Sequence, residues 1–266
     1  MELGRVAVIS KVGSPEAENA ASEIATYLKD TSKVYSVSPA KGAEQVEQIS
    51  DLENLDLAIA LGGDGTTLRV FRGLDDQTPV LAVNVGGNRG ILSEITMDGL
   101  EDAISQISSG RFVTDKRTRV AASCAGTEFP PALNEIYVGR TNLTRTAQME
   151  IKFRDDTITQ KMDGLIVSTP SGSTGHSFSL GGPVLHESLD VLIITPVAPV
   201  YRLAPVVVPD EVIQVTCSHD CSIVTDAQVV GAAPRGEPIT IKRHGVPAVF
   251  VRLERRGLRQ MSRLGF

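Results

Sequence analysis

The strongest constraint on the fold is a change of sequence pattern near residue 110. Before it, strand-like apolar runs alternate with segments of helical periodicity. Ser14 with Pro15, and Asp98 with Glu101, have the spacings that begin helices. Such alternation predicts a parallel sheet with helices on its faces. The runs are "RVAVIS" (5–10), "KVYSVS" (33–38), "LDLAIAL" (55–61) and "PVLAVNV" (79–85).

The rest of the chain has a different character. From residue 116 to about 252, short strand-like runs and turn residues follow one another without a convincing amphipathic helix. This pattern is typical of an antiparallel sandwich. We therefore predict α/β plus all-β architecture, with a Rossmann-like α/β domain over 1–112 and an antiparallel β-sandwich-like domain over 113–266. The last residues are free to pack back on the first domain.

The composition limits which kinds of molecule the protein is expected to bind. A net charge of −6 and an aromatic content of 4% argue against nucleic acid, and the basic segment "RLERRGLRQMSRLGF" at the end is interpreted as a solvated or interface face. No run approaches 18 apolar residues, so no membrane association is expected. The N-terminal segment is unlike a signal peptide, and three cysteines are too few for a disulfide framework. These features predict a cytoplasmic protein.

The segment "CSHDC" (217–221) has two interpretations. It could hold a metal ion, but it lies between the strand-like runs "EVIQVT" and "SIVTDAQVV", which favours a polar hairpin turn.

The stretch "LGGDGTT" (61–67) follows an apolar strand and precedes "TTLRVFRGL", which fits a helix. In a parallel sheet this puts the glycine loop at the carboxyl edge, where ligands bind. Free backbone N–H groups and the positive end of a helix dipole suit phosphate. Asp-Gly is also a hairpin signal, but a carboxylate among phosphate oxygens favours a chemical role for Asp64. Arg69, about one turn further on, fits either a phosphate contact or an exposed helical arginine equally well.

A second glycine-rich stretch, "DGLIVSTPSGSTGHSFSLGGP" (163–183), follows a strand-like run. Its hydroxyls and backbone donors suit phosphate or ribose. A flexible connection between strands explains it equally well.

Together these stretches resemble the NAD kinase family, its archaeal branch especially. The resemblance rests on "GGDGT" (62–66), "NE" (134–135) and "DGLIVSTPSGSTG" (163–175), in this order, and extends to "ITPVAP" (194–199) and "TDAQ" (225–228). It covers nearly the whole chain. It implies transfer of the γ-phosphate of ATP, or of a polyphosphate phosphate, to the adenosine 2′-hydroxyl of NAD.

The resemblance also implies the site. Asp64 would be the general base, and a divalent metal ion, usually Mg²⁺, would accompany ATP. NAD and ATP would be the small-molecule partners of a homodimer or homotetramer. Implied nucleotide contacts in the first domain are Gly62, Gly63, Asp64, Gly65, Thr66 and Arg69. Those in the second are Asn134, Glu135, Arg145, Lys161, Asp163, Thr174, Gly175, His176, Ser177, Ser179 and Gln228. The remaining hypotheses are a kinase for a lipid or other hydroxyl substrate, and a non-catalytic dinucleotide-binding regulator.

The sequence departs from the family pattern at four places. His176 replaces a tyrosine, and Ala227 replaces the glycine usual in "TDAQ". The loop from Asn84 to Gly90 is one residue longer, with Arg89 and Ile91 in place of apolar and aromatic residues. The His-Ser motif of bacterial members is absent after Pro199.

Overall fold

The computed structural model describes residues 3–86, 90–142 and 144–254. Arg89 and most of the basic C-terminal segment (255–266) lie outside these ranges. The helices and strands, in chain order, are β1 (Arg5–Ser10), α1 (Pro15–Leu28), β2 (Lys33–Ser36), β3 (Glu44–Gln45), β4 (Leu57–Leu61), α2 (Asp64–Gly73), β5 (Pro79–Asn84), β6 (Ile95–Thr96), α3 (Leu100–Ser108), β7 (Val113–Arg117), β8 (Val120–Cys124), β9 (Thr127–Glu128), β10 (Glu135–Arg140), β11 (Ala147–Phe153), β12 (Asp156–Met162), β13 (Gly164–Ser168), α4 (His176–Ser179), β14 (Val191–Val197), β15 (Val206–Pro209), β16 (Ile213–Cys217), β17 (Cys221–Thr225), β18 (Gln228–Ala233), β19 (Pro238–Arg243) and β20 (Ala248–Arg252). Short 3₁₀ helices cover Ile49–Asp51, Met97–Gly99 and Ser171–Thr174.

The first compact unit comprises residues 1–116 and the chain from Ala248 onward. Its sheet has the order β3-β2-β1-β4-β5-β20-β7, with β6 beside β5. The neighbours from β3 to β20 are paired in parallel. The helix α1 begins as its sequence predicts, because the Ser14 hydroxyl accepts a hydrogen bond from the Ala17 N–H at 3.4 Å. The predicted α/β architecture of this region is confirmed.

One predicted helix start is wrong. Asp98 and Glu101 do not form a capping box, because a 3₁₀ turn over Met97–Gly99 precedes α3 and Gly99 occupies its N-cap without a side-chain hydrogen bond. The other end follows the sequence. Gly110, with φ +75°, donates its N–H to the Ile107 carbonyl at 2.9 Å just after the helix.

Two strands outside the predicted first domain lie in this sheet. They are β7, which follows residue 112, and β20, which pairs in parallel with β5. The end of β20 is anchored by Arg252, which is 3% exposed and forms ion pairs with Glu94 and Asp115, each at 3.2 Å. A buried arginine between two carboxylates holds the returning strand in register.

The second compact unit, residues 117–247, contains two six-stranded sheets. One has the order β15-β14-β13-β10-β17-β18 and the other β12-β11-β16-β19-β8-β9, and all their named pairs are antiparallel. Alternate residues of their strands form one buried apolar core. The antiparallel β architecture predicted for this region is confirmed.

The "CSHDC" segment is not a hairpin turn. It connects β16 of one sheet to β17 of the other, and Cys217 and Cys221 at its ends are buried free thiols. The apolar alternation of both strands is the same for a hairpin and for a crossing between sheets, so the sequence does not separate them. Within the described ranges, no helix is both long and apolar enough to cross a membrane.

Candidate active site

The "GGDGT" loop joins β4 to α2 at the carboxyl edge of the parallel sheet. Gly62 adopts φ +152°, and a Cβ there would lie 2.4 Å from the Thr66 Oγ1, so only glycine fits. Gly63 is the N-cap of α2 and offers no side-chain cap. The Thr66 N–H donates to the Gly63 carbonyl at 3.0 Å, whereas the N–H groups of Asp64 and Gly65, at the start of the helix, precede any intrahelical acceptor. The loop therefore presents backbone donors and the positive end of the helix dipole at one place.

Asp64 is the first residue of α2, and its carboxylate is fixed by the chain that follows β5. Its Oδ2 accepts the Ile91 N–H at 2.9 Å, and its Oδ1 accepts the Leu92 N–H at 3.0 Å. A Cβ on Gly90 would lie 1.8 Å from Oδ1, so glycine is required beside the carboxylate. Each carboxylate oxygen accepts more than one hydrogen bond. Asp64 therefore keeps acceptor capacity in a fixed orientation.

Arg69 was predicted either to contact phosphate or to be an exposed helical arginine, and its environment matches neither prediction fully. It is half-buried, and one guanidinium nitrogen donates to the Ser10 carbonyl at the end of β1, at 2.7 Å. Its buried Nε has no hydrogen-bond partner among the residues that the structure describes. Burial, followed by the charge of Arg72, lowers the pKa of Arg69. Arg69 thus lies at the carboxyl edge with one donor unused.

Lys11 is a candidate that sequence reasoning missed. It directly follows β1, its N–H donates to the Leu61 carbonyl at 2.8 Å, and its side chain is exposed. Its Cβ is 3.1 Å from the position of a Cβ on Gly62. Lys11 is therefore an exposed lysine whose Cβ lies beside the glycine loop. Its position after a strand at the same sheet edge was the available signal.

In the second unit, Asp226 fixes the backbone of the "NE" segment. Its Oδ2 accepts the Leu133 N–H at 2.8 Å, and its Oδ1 accepts the N–H groups of Asn134 at 2.8 Å and Glu135 at 3.2 Å. Asp226 is 7% exposed. Three charge-assisted hydrogen bonds from one buried carboxylate hold these residues in one conformation. Asp226 belongs to the "TDAQ" motif but is not among the site residues predicted from the sequence.

The turn that carries Asp226 explains why glycine is usual at the next position. Asp226 and Ala227 have φ +44° and +63°, and they join Thr225 to Gln228 in the hairpin of β17 and β18. Two left-handed residues define a type I′ turn, in which glycine is favoured. Ala227 adopts this conformation at an energetic cost that glycine avoids.

The Glu135 carboxyl is enclosed and unpaired. Its Oε2 is buried, and no hydrogen-bond partner for it occurs in the described part of the chain. Burial, followed by the nearby charge of Asp226, raises the pKa of Glu135 to about 8. The side chain is therefore a neutral acid at pH 7 and offers an O–H donor as well as an acceptor.

The second glycine loop packs against the same segment. The Asn134 carbonyl accepts the Thr169 N–H at 2.8 Å and the Ser168 hydroxyl at 3.2 Å. A Cβ on Gly172 would lie 2.3 Å from that carbonyl oxygen, whereas one on Gly175 would lie 3.6 Å from the Glu135 Oε2. The loop therefore comes closest to the backbone of the "NE" segment at Gly172. The loop is short, ordered structure that brings Gly175 beside the Glu135 carboxyl.

The remaining predicted residues differ in accessibility. The Ser177 hydroxyl is buried and hydrogen-bonds the Thr195 hydroxyl at 2.7 Å, which gives it a packing role. Asp163 is half-buried and forms an ion pair with Arg140, with the Nε and Oδ1 atoms 2.7 Å apart. Thr174 is half-buried. The exposed residues are Arg145, Lys161, His176, Ser179 and Gln228.

These features define a class of protein. The chain has a glycine loop at a helix N-terminus and an oriented carboxylate in that loop, on a parallel sheet that is joined in sequence to a β-rich unit. This combination is typical of a nucleotide-dependent kinase. Comparison with known proteins narrows this class. Residues 18–112 match the family model for the ATP-NAD kinase N-terminal domain, and residues 133–253 match that for the ATP-NAD kinase C-terminal domain. The chain belongs to the NAD kinase family, as the sequence predicted.

Individual relatives agree. The chain is 33% identical over 261 residues to the NAD kinase of Geotalea daltonii, covering 91% of this chain and 90% of the relative. It is 38% identical over 184 residues to the NAD kinase of Caldanaerobacter subterraneus, covering 65% of each.

Two solved structures have the same fold. An NAD kinase from Archaeoglobus fulgidus in complex with ATP has a TM-score of 0.79 and 29% identity, covering 98% of this chain and 97% of that one. Yeast NADH kinase complexed with NADH has a TM-score of 0.87, covering 100% of this chain and 87% of that one, at 21% identity.

Proposed function

We propose that the protein is an NAD kinase that transfers the γ-phosphate of ATP to the adenosine 2′-hydroxyl of NAD, forming NADP and ADP. One observation carries the proposal beyond family membership: the Asp64 carboxylate in the "GGDGT" loop is oriented by the N–H groups of Ile91 and Leu92, at 2.9 and 3.0 Å. A carboxylate so fixed at a phosphate-binding loop suits a general base.

In this mechanism, Asp64 accepts the proton of the 2′-hydroxyl as that oxygen forms a bond to the γ-phosphorus. The bond between the γ-phosphorus and the bridging oxygen breaks, and ADP leaves. Phosphoryl transfer needs alignment and charge neutralisation more than covalent assistance. The role of this chain is therefore to hold Asp64 in place and to provide donors to the phosphates.

We assign the phosphate contacts to the Gly62–Thr66 loop, chiefly to the N–H groups of Gly63, Asp64 and Gly65, because those of Gly62 and Thr66 already donate to backbone carbonyls. Lys11 and Arg69 would supply positive charge. The side-chain oxygens at this loop are those of Asp64, Thr66 and Thr67, and no group of three or more His, Cys, Asp or Glu residues that could hold a metal ion occurs among the described residues. These residues fit Mg²⁺ that is held chiefly by phosphate oxygens. When bound, the ion neutralises phosphate charge.

We assign the dinucleotide to the "NE" segment and the loop beside it. Asn134 is half-buried, and the buried Oε2 of Glu135 beside it has no hydrogen-bond partner among the described residues. These groups, with Asp163, Thr174 and Gly175, would bind the adenosine part of NAD. Arg145, Lys161, His176, Ser179 and Gln228 are exposed and remain proposed contacts.

Assembly and location are also proposals. We propose a homodimer or homotetramer, which light scattering of the purified protein would measure. Three free thiols, all buried, suit a reducing cytosol.

The test is transfer of labelled γ-phosphate from ATP to NAD, with a lipid hydroxyl as the competing acceptor. We expect Asp64→Asn to retain NAD binding and to lower turnover by about two to four powers of ten. Asp76→Asn is the matched control, since Asp76 is exposed and also accepts one backbone N–H, from Thr78 at 2.9 Å. Preferred labelling of the lipid, or NAD binding without transfer by the wild type, would replace the proposal with one of the two alternatives.

A further inference from the structure

Tyr137 has an unusual setting on the outward face of its sheet. A Cβ on Gly139 would lie 2.5 Å from the Tyr137 ring, and a Cβ on Gly164 would lie 2.3 Å from it. Tyr137 is half-buried. The ring therefore packs against the backbone of two paired glycines on β10 and β13, and part of it remains accessible.

A second ring adjoins it. The His176 imidazole, at the start of α4, has its centroid 6.1 Å from that of Tyr137, with an angle of 56° between the planes. This is the tilted geometry that aromatic pairs prefer. His176 is exposed. The two rings thus lie side by side, inclined to each other, and form an aromatic surface beside the "GST" loop.

Polar groups border this surface on both sides. Glu135, two residues before Tyr137, shares its face of β10, and within the described ranges the buried Oε2 of Glu135 has no hydrogen-bond partner. Near the other end, Arg140 and Asp163 form their ion pair, and the charge of Asp163, after burial, raises the pKa of Tyr137. The Tyr137 ring, with the His176 ring inclined beside it and hydrogen-bonding groups at its borders, matches a planar heteroaromatic ring with polar edges.

We propose that Tyr137 and His176 together form the surface on which the adenine ring of NAD packs, so that Tyr137 determines affinity for the purine part of the substrate. The inference rests on the proposed function. It adds Tyr137, which the sequence analysis did not assign to the site.

A structural explanation competes with it. Aromatic side chains can cover glycines in sheets and stabilise them without contacting a ligand. The two explanations differ in what removal of the ring changes. Loss of a stacking surface raises the KM for NAD and spares kcat, whereas loss of a glycine cover lowers the melting temperature alone.

Tyr137→Leu removes the ring, and Tyr137→Phe keeps it. We expect Tyr137→Leu to raise the KM for NAD about tenfold, with the KM for ATP and kcat nearly unchanged. Tyr137→Phe should stay near the wild type. Tyr201→Leu is the matched control, since Tyr201 lies in the same unit and is 74% exposed.

Binding provides a readout that does not depend on turnover. The chain has no tryptophan and four tyrosines, so tyrosine fluorescence is observable. We expect NAD, and AMP alone, to quench this emission in the wild type and in Tyr201→Leu but not in Tyr137→Leu.

We also expect His176→Tyr, placed on Tyr137→Leu, to recover part of the affinity. An unchanged KM for NAD and unchanged quenching in Tyr137→Leu would overturn the inference. A wild type that binds AMP with quenching but does not phosphorylate NAD would instead refute the proposed function and leave the aromatic surface intact.

Discussion

Replacing Asp226 with asparagine removes the charge that holds the "NE" segment while keeping the size of the side chain. In the wild type, Oδ1 accepts two backbone N–H groups and Oδ2 accepts that of Leu133 at 2.8 Å. An asparagine can put its oxygen in only one of these two positions. If the oxygen serves Asn134 and Glu135, the amide NH₂ faces the Leu133 N–H, so two donors meet.

The loss of stability can be estimated from the number of hydrogen bonds that change. One charge-assisted hydrogen bond is lost, a buried N–H is left unpaired, and two bonds lose their charge. Such changes cost roughly 2–4 kcal/mol in the free energy of unfolding. At about 2–4 °C per kcal/mol for a chain of this size, the melting temperature should fall by about 4–15 °C. We expect the KM for NAD to rise as well, because Asn134 and Glu135 lose their fixed directions.

The assay is thermal unfolding by calorimetry, with NAD kinetics on the same samples. Ala227→Gly is the control within the same turn, because it leaves the carboxylate in place. Relief of the left-handed alanine, less the added chain entropy, should leave the melting temperature unchanged or raise it by up to about 3 °C. A melting temperature for Asp226→Asn within about 1 °C of the wild type would refute the reasoning.

Three further predictions concern pH, the base and the metal. The pKa of Glu135 is raised to about 8 from 4.5 in the folded protein, so its contribution to stability is fully present below about pH 4.5 and is lost as the pH rises toward 8. Glu135→Gln should therefore flatten the plot of melting temperature against pH between these values, and parallel plots for the variant and the wild type would contradict this. Gly90→Ala would put a Cβ 1.8 Å from the Asp64 Oδ1 and should lower kcat about 100-fold with little change in the KM for NAD, which steady-state kinetics would measure; a normal kcat would show that Asp64 tolerates displacement. Excess chelator should abolish turnover, and Mg²⁺ or Mn²⁺ should restore it, without a change in melting temperature; full activity in chelator would exclude the metal.

Much of the first unit could be predicted from local sequence. The helix α1 begins at Ser14 and Pro15 because a serine cap and a proline at the first helical position act through neighbours only a few residues away. The "GGDGT" loop was likewise found from one strand, its glycines and the helix that follows. The capping box at Asp98 failed because the chain enters α3 through a 3₁₀ turn, a local competitor that the same residues allow.

The sequence by itself determined which segments are strands and helices, where the phosphate-suited loop occurs, and which family the motifs resemble, because each depends on short-range pattern. Only the tertiary structure decided which residues far apart in the sequence contact each other. Asp226 meets Asn134 across 92 positions, Arg252 meets Glu94 across 158, and the Tyr137 ring lies against a glycine of the neighbouring strand. Contacts between distant positions depend on strand order and register, which many sequences of the same local pattern satisfy differently.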